Sequence, residues 1–541
     1  MLARLQGGIA RMNTAEFLMI SAAIVPDRIA VAGPNERLTY AELQTRANQL
    51  ANAMQAMGIG KGQNVGVMAV NCTEYVEIYY AAAAVGATLV PLNFRAKAEE
   101  LTYMADSTDV ALLFIQERYY SIYESVQNQL PKVKHVITLD FKKDGLQDVA
   151  ALRATGEDVP VFCDVEESDP TLIIFTSGTT SLPKGVVLSY QALTALVVNT
   201  QSPADPSNDQ EVVLVSVPFF HIAGATTMMS AVFSGRRLVI LPAFDPQAWL
   251  SAVEQEGVTH AFVVPTMLKR LMEVDDFDKY SLKTLQLITY GAAPMPFEAV
   301  RRAVDVFAPT PKNPKGVGLM NAYGQTEATG SMTFLGPDDH RLDGTPEEND
   351  KKLERLRSVG RTMADIEVAI LAPDGRRQPA NEEGEICIRG DRVMKGYNKR
   401  DDDTESALRD GWLHTGDVGK IDDGGYLFIT GRLKDMIIRG GENIGPAEIE
   451  QVLEDHPGVA EAAVIGVPDV EWGEIVKAIL VPAGKSQPSP EDLTDYVKTR
   501  LASYKAPAYY EYVEELPRNH LGKVLKTDLR KDHGTASGLK A

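Results

Sequence analysis

The chain has 541 residues, 44% of them hydrophobic and 24% charged, and a formal net charge of −20. That length exceeds one ordinary core and predicts two or more domains, while the acidic balance argues against a general nucleic-acid binder and against strong attraction to anionic lipid. The three cysteines, Cys72, Cys163 and Cys387, are far apart and odd in number, which suits a reducing compartment and predicts no metal cluster among them.

In chain order, "FLMISAAIV" (17–25) is too short to span a bilayer and lacks a signal-peptide cleavage pattern, so it predicts a buried helix. The C-terminal "ASGLKA" carries no recognisable address. A cytoplasmic protein with no transmembrane segment is expected. Residues 38–58 space apolar positions at helical intervals and stop at a glycine, predicting an amphipathic helix. "NVGVMAV", "EYVEIYYAAAAVGA" and "TLVPLN" then read strand, helix, strand. The alternation continues through "EVVLVSVP", "RLVILP", "WLSAVEQEG", "HAFVVP" and "LQLITYG". It predicts a largely parallel sheet covered by helices, with ligands outside the carboxyl ends of the strands. The polar loops after "TLIIF", "SVP", "LITYG" and "LMNAYG" should therefore meet in one crevice.

The stretch "TLIIFTSGTTSLPKGVVLSY" (171–190) packs hydroxyl residues, Gly178, Gly185 and Lys184 between two β-branched runs. Small residues let a backbone approach a ligand, and hydroxyls plus a lysine supply donors to phosphate oxygens. The spacing differs from G-x-x-x-x-G-K-[ST], and a strand rather than a helix is predicted to follow. Loop amides, hydroxyls and Lys184, not a helix dipole, would then hold an anion.

Further along, "VPFFHIAGATTMM" (217–229) sets His221 after a strand end among aromatic and small residues. Its role stays open between a satisfied core histidine and a gate or substrate wall; the missing carboxylate or arginine in its tail favours an apolar substrate moiety. "LITYGAAPM" (287–295) ends in small residues against which a planar base could lie. In "NAYGQTEAT" (321–329), Glu327 could hold magnesium against phosphates, since that ion takes one or two carboxylates plus phosphate oxygens. The charged "EENDKKLERLR" (347–357) predicts an exposed helix. Beyond about residue 360, "IEVAILAPDGR", "GEICIRGD" and "VGKIDDGGYLFITGR" read as hairpin strands. In "GWLHTGDVG" (411–419), Asp417 is a turn carboxylate that could accept hydrogen bonds from ribose hydroxyls. "GRLKDMIIRGGENIGPAEIE" (431–450) has the charged residues of a hinge, and a unit of helix–strand–strand–helix order follows Asp435. A lone Lys523 near the C-terminus would by itself be surface decoration.

Together, "TSGTTSLPKG", "YGQTE", "HTGD", "GRLKDMIIRGGENI" and "PRNHLGK", in this order across about residues 30–530, resemble the adenylate-forming (AMP-binding) superfamily, with bacterial fatty acyl-CoA synthetases as the nearest resemblance. The resemblance implies an α/β chain: a large multi-sheet N-terminal domain (1–431), a hinge (432–434) and a small mobile α+β C-terminal lid (435–541). It implies a ligase that joins ATP and a carboxylic acid into an acyl-adenylate, then passes the acyl group to CoA. A medium- or long-chain fatty acid is expected, with an aryl or phenylpropanoid acid as the alternative and a non-catalytic nucleotide sensor behind both; intact Lys184, Glu327 and Lys523 argue against the sensor.

Carried over by motif, Thr176, Ser177, Gly178, Thr179, Thr180 and Lys184 would cradle the terminal phosphates, with Mg2+ on Glu327 and Thr176. Asn321, Gly324 and Thr326 belong to the same nucleotide site, Gly291, Ala292, Ala293 and Tyr323 would border adenine, and Asp417 and Arg432 would grip ribose. Lys523 would reach the carboxylate and α-phosphate; swinging about Lys434 would withdraw it and present Arg439, Gly440 and Gly441 to the CoA step. With His221 as a gate, the catalytic set is Lys523, Glu327, Lys184 and His221. Ser181 and Gly445 depart from the family pattern. A homodimer stays open.

Overall fold

Short runs of Val, Ile and Leu that are buried on both faces are what parallel strands under helices require, and Val110–Ile115, buried at all six positions, is one of them. The structure, a computed structural model, describes residues 12–176, 183–311, 313–440, 442–484, 486–519 and 522–540. The predicted alternation is present but is divided between two sheets rather than one. The first runs Gly396–Tyr397, Lys184–Ser189, Pro170–Thr176, Thr88–Pro91, Asn64–Met68, Val110–Ile115, His135–Thr138, Gln147–Asp148. The second runs Arg361–Thr362, Gly330–Leu335, Gly318–Gln325, Leu287–Gly291, His260–Val263, Val212–Val215, Arg237–Ile240, Ile29–Ala32, Arg37–Thr39. Both are parallel in the middle and antiparallel at an edge. Seventeen strands in one twisted sheet would exceed the roughly ten that stay open without splitting.

The expected helices have visible local causes. Thr39 accepts from the Glu42 amide and Glu42 reaches back, so Tyr40–Ala56 opens with a reciprocal cap. It stops before Gly58, whose φ of +81° favours glycine. The apolar run near the N-terminus forms Glu16–Ile24, with Phe17 and Leu18 fully buried. The charged stretch becomes Pro346–Arg355, capped by Thr345, with no buried side chain.

A third sheet pairs Glu367–Leu371 with Gly384–Arg389, then with Trp412–Ile421 and Leu427–Arg432. The last two form the hairpin expected at Asp423-Gly424-Gly425, where Gly425 takes φ +78°. After Arg432 a single 3-10 turn, Leu433–Asp435, leads to Ile437–Arg439 in a fourth sheet. That sheet joins Glu442–Ile444, Gly473–Pro482, Val459–Asp469 and Tyr509–Tyr512. Its core of Ile437, Ile449, Val464, Leu480 and Tyr510 draws only on residues from Ile437 onward. The smaller lobe rests on the larger through Arg357–Asp455 (3.2 Å) and Lys269–Glu461 (3.7 Å). The chain is thus a mixed α/β fold with a large N-terminal and a smaller C-terminal domain. Among the described residues no helix is long and apolar enough to cross a membrane.

Candidate active site

Lys184 opens the strand Lys184–Ser189, antiparallel to Pro170–Thr176, with Thr176 directly opposite. The expected strand after the loop is therefore present, and the Thr176 hydroxyl donates to the Lys184 carbonyl at 3.4 Å. Ser177, Gly178, Thr179, Thr180 and Ser181 lie outside the described residues. Lys184 Nζ donates to Asp403 Oδ1 at 2.5 Å and sits 4.8 Å from the centre of the Tyr397 ring. Tyr397 belongs to the edge strand Gly396–Tyr397, which pairs with the lysine's own strand. Its hydroxyl donates to Glu327 Oε1 at 3.0 Å.

Glu327 comes from the other large sheet, in the 3-10 turn Thr326–Ala328 that follows Gly318–Gln325. One tyrosine thus bridges the lysine of one sheet and the carboxylate of the second. Burial raises the Glu327 carboxyl above its ordinary range, against the pull of its own amide, the Tyr397 hydroxyl and Arg432. Such a carboxylate gains most from a nearby cation.

In the second large sheet, Gly291 ends its strand where a Cβ would lie 2.0 Å from the Ala322 carbonyl, so no other residue fits. Ala292 follows, exposed and at φ +68°, a left-handed conformation that alanine takes at a cost; Ala293 continues the same bend. Asn321 faces Tyr290 across the ladder, and Gly324 approaches Gly330 so closely that a Cβ would stand 1.9 Å from its carbonyl. Asp417 is 3% exposed and held from both sides: Arg432 Nε donates to Oδ1 and the Tyr323 hydroxyl to Oδ2, each at 2.7 Å. Arg432 lies opposite Asp417 in the ladder, which explains why two residues so far apart in sequence meet.

Asp417 is not a turn residue, as expected, but lies within the strand Trp412–Ile421. The local distortion comes from Gly416 at φ +72° and a register shift after Val418. Glu385 steadies that distortion by accepting the Gly416 amide at 3.1 Å. The same carboxylate sits 2.7 Å from His414 Nδ1, and Cys387 Sγ lies 3.3 Å from that nitrogen. The three ligand-type atoms fall within 4.8 Å of one another, but Arg409 already places a guanidinium nitrogen 3.0 Å from His414 Nδ1. Sequence reading missed this group. Glu385 and Cys387 alternate on one strand face and His414 pairs with Cys387, a pattern readable only once the strands are registered.

Lys523 reaches the same region from the smaller lobe. Its amide donates to Asn519 Oδ1 at 3.0 Å and its carbonyl accepts the Asn519 amide at 2.8 Å, closing a tight loop. Gly522, at φ +80°, packs against Thr266 of the large lobe, where a Cβ would come within 2.7 Å. Burial, with Arg432 and Lys434 nearby, pushes the Lys523 ammonium down to about 8, while Asp417 and Asp435 resist. Lys434 sits in the 3-10 turn between lobes with an exposed side chain, and its neighbour Asp435 is tied to Arg530 at 2.8 Å.

Arg439 and Gly440 are not brought into this cluster. Arg439 donates to the Tyr504 carbonyl and lies over the Trp472 ring at 5.3 Å, while Gly440, at φ +59°, abuts that same ring. Gly441 lies outside the described residues. The unusual Gly445 has a steric cause, since a Cβ there would stand 2.7 Å from the Thr430 carbonyl. His221 is buried at the N-cap of Ile222–Phe233 and packs on Phe220 with centroids 4.2 Å apart; Phe220 meets Phe94 edge-on. In the same helix Ile222 and Thr226, together with Leu196 from a neighbouring helix, stand where a Cβ on Gly330 would meet them at 3.9–4.0 Å.

The AMP-binding enzyme family model matches residues 20–398, and the model for the C-terminal domain of AMP-binding enzymes matches 448–523. A feruloyl-CoA synthase from Amycolatopsis sp is 36% identical over 515 residues, covering 95% of this chain and 97% of that protein. The long-chain-fatty-acid–CoA ligase FadD13 of Mycobacterium tuberculosis is 34% identical, covering 96% of this chain and 98% of its own. Among solved structures, the o-succinylbenzoate CoA synthetase MenE of Bacillus subtilis, in complex with its acyl-adenylate intermediate, superposes with a TM-score of 0.78 at 29% identity, covering 97% of this chain and 98% of that one.

Proposed function

The chain belongs to the AMP-binding enzyme family as an acid–thiol ligase of the AMP-forming acyl-CoA synthetase type, and from that premise we propose that it activates a medium- or long-chain fatty acid with ATP and transfers the acyl group to CoA. The observation that carries this reading is the meeting of Asp417, Arg432 and Lys523, drawn from two lobes, beside the Lys184–Tyr397–Glu327 bridge.

In the first step a carboxylate oxygen of the acid attacks the α-phosphorus of ATP, a P–O bond forms, and pyrophosphate leaves. Two anions must approach each other, so cations have to offset their repulsion. Lys523 supplies one such charge at the reacting end, and Lys184 supplies another at the departing phosphates. Asp417 accepts from the ribose hydroxyls while Arg432 holds it in place. Gly291, Ala292, Ala293 and Tyr323 form the wall beside adenine. A carboxylate from Glu327 and the hydroxyl of Thr176 suit Mg2+, which prefers few protein oxygens and leaves room for phosphates; when bound it would neutralise charge on the triphosphate.

In the second step the CoA thiolate attacks the acyl carbon, a C–S bond forms, and AMP leaves with the electron pair. Lys523 lies partly buried beside Arg432 and Asp417, and rotation about the 432–434 hinge would withdraw it and turn Arg439 and Gly440 inward. Ile222, Leu196 and Thr226, which surround Gly330, would form the wall for the apolar body of the acid, with His221 at the start of the helix that carries Ile222 and Thr226.

A second reading, an aryl or phenylpropanoid acid, is favoured by the likeness to a feruloyl-CoA synthase. The test is pyrophosphate release with ATP, magnesium and a panel of aliphatic and aryl acids, with and without CoA. Release driven by C8–C16 acids and completed to thioester supports the first reading. Release driven only by cinnamic-type acids selects the second, and silence with every acid rejects both.

A further inference from the structure

The helix Asp401–Ala407 opens with three successive acidic residues, and the third enters the candidate site. Asp403 Oδ1 accepts from Lys184 Nζ at 2.5 Å, with side-chain exposures of 33% and 17%, so the pair is partly shielded from water. Asp403 is itself fixed. Its other oxygen meets Arg400 at 3.3 Å, and Arg400 donates to the Tyr103 hydroxyl at 3.0 Å. The next residue, Thr404, receives the Tyr397 amide at 2.9 Å and donates to the Arg400 carbonyl, which pins the helix to the edge strand. The ammonium of Lys184 is therefore engaged on two sides, by this carboxylate and by the Tyr397 ring.

We propose that Asp403 is a positioning residue for the phosphate-binding lysine: it holds Lys184 in an ion pair that the triphosphate of ATP must displace. The proposal rests on the reading that Lys184 faces the phosphates. An ammonium has three donors, but a carboxylate 2.5 Å away takes one of them and cancels most of the charge felt by an arriving anion. ATP binding then exchanges one ion pair for another, and the loss of Asp403 frees Lys184 for the nucleotide. The lysine is kept in one orientation in the empty enzyme, and the cost is weaker binding.

The test is calorimetric titration of the full-length protein with ATP and magnesium, without acid, so that binding is read apart from chemistry. Lys184→Ala should weaken ATP binding. Asp403→Asn should tighten it by about threefold to tenfold, the range for a partly exposed ion pair released to a new partner. Asp403→Glu, which keeps the carboxylate, should stay within about twofold of the parent. In the Lys184→Ala background, Asp403→Asn should change affinity by less than about twofold, because the effect runs through the lysine.

Equal tightening in both backgrounds would mean that Asp403 repels the nucleotide directly, and the proposal would fall. Weakened or unaltered binding in Asp403→Asn, with Lys184→Ala weakened as expected, overturns the role of Asp403 alone. Unchanged affinity in Lys184→Ala overturns the phosphate reading of Lys184 and the proposal with it. Asp403→Ala is titrated beside Asp403→Asn, and thermal melts of both identify a variant that has lost its fold.

Discussion

Lys523 ties the proposed chemistry to a measurable pH. Its ammonium is pushed down from an ordinary 10.5 to about 8 by burial and by Arg432 and Lys434. Only the protonated form can offset charge as carboxylate and α-phosphate approach, so adenylation should fail as pH rises through that value. For one group at about 8, the protonated fraction is about nine-tenths at pH 7 and about one-tenth at pH 9, a loss of about tenfold. The assay is ATP–pyrophosphate exchange with the acid in excess and no CoA, because the CoA thiol titrates in the same range. Free-enzyme kcat/KM for ATP should show the basic limb near pH 8. In kcat the limb should move upward, since bound phosphates favour the ammonium. Lys523→Arg does not titrate in this range, so its residual activity should be flat from pH 7 to 9.5. Lys523→Ala should cut exchange by about 100-fold or more while sparing the reaction of a supplied acyl-adenylate with CoA. A limb that persists unchanged in Lys523→Arg would refute the assignment, because the titrating group would then be another residue.

Tyr397→Phe removes the hydroxyl donor at 3.0 Å from Glu327, whose carboxyl burial already raises. The carboxylate form is lost as pH falls, so the acid limb of exchange should move to higher pH and half-saturating magnesium should rise by about fivefold or more; an unmoved limb would detach Tyr397 from the site. Asp417→Asn leaves Arg432 without its ionic partner and weakens the acceptor for ribose, and ATP KM should rise by about tenfold or more, with a smaller change in the KM of the acid. Lys434→Pro fixes one backbone angle in the turn between lobes and should slow thioester formation at least about tenfold more than exchange. Equal losses in both half-reactions would place the hinge elsewhere.

Much of this fold is written locally. The cap at Thr39, the stop at Gly58 and the Asp-Gly-Gly hairpin each depend on residues a few positions apart, and the last two appear where pattern reading places them. What pattern reading could not supply is strand order. The run Pro170–Thr176 and the run Leu287–Gly291 look alike as sequence, yet they belong to different sheets. Nothing within either segment records which neighbour it joins, because ladder hydrogen bonds are made by backbone that every residue shares. The same limit hid Tyr397 and Asp403. Neither sits in a glycine-rich or hydroxyl-rich motif, and their chemistry appears only when the edge strand Gly396–Tyr397 pairs with Lys184–Ser189. Motif spacing located the charged residues that touch one another, Asp417 and Arg432 among them, but placed Asp417 at a turn because Gly416 signals one; the strand absorbs the glycine as a local distortion instead.

On the proposed reading, the surroundings of Lys523 also say what a lid would be useful for. Arg432 and Lys434 stand near it as further cations, and Asp417 and Asp435 as anions. Burial is the main reason the lysine holds its proton less tightly, and carrying its charge into a poorly hydrated space without nucleotide would oppose closure. Bound ATP would offset that cost, since its phosphates would bring negative charge beside the lysine. Closure would then be favoured by the substrate whose chemistry needs it, and release of pyrophosphate would remove much of that charge and with it much of the reason to stay closed. The ion pairs by which the lobe that carries Lys523 rests on the larger one, Arg357–Asp455 at 3.2 Å and Lys269–Glu461 at 3.7 Å, are of the partly exposed kind that contributes little. An electrostatic trigger of this kind would support the order of events, adenylate first and thioester second, through the charges that perform the reaction.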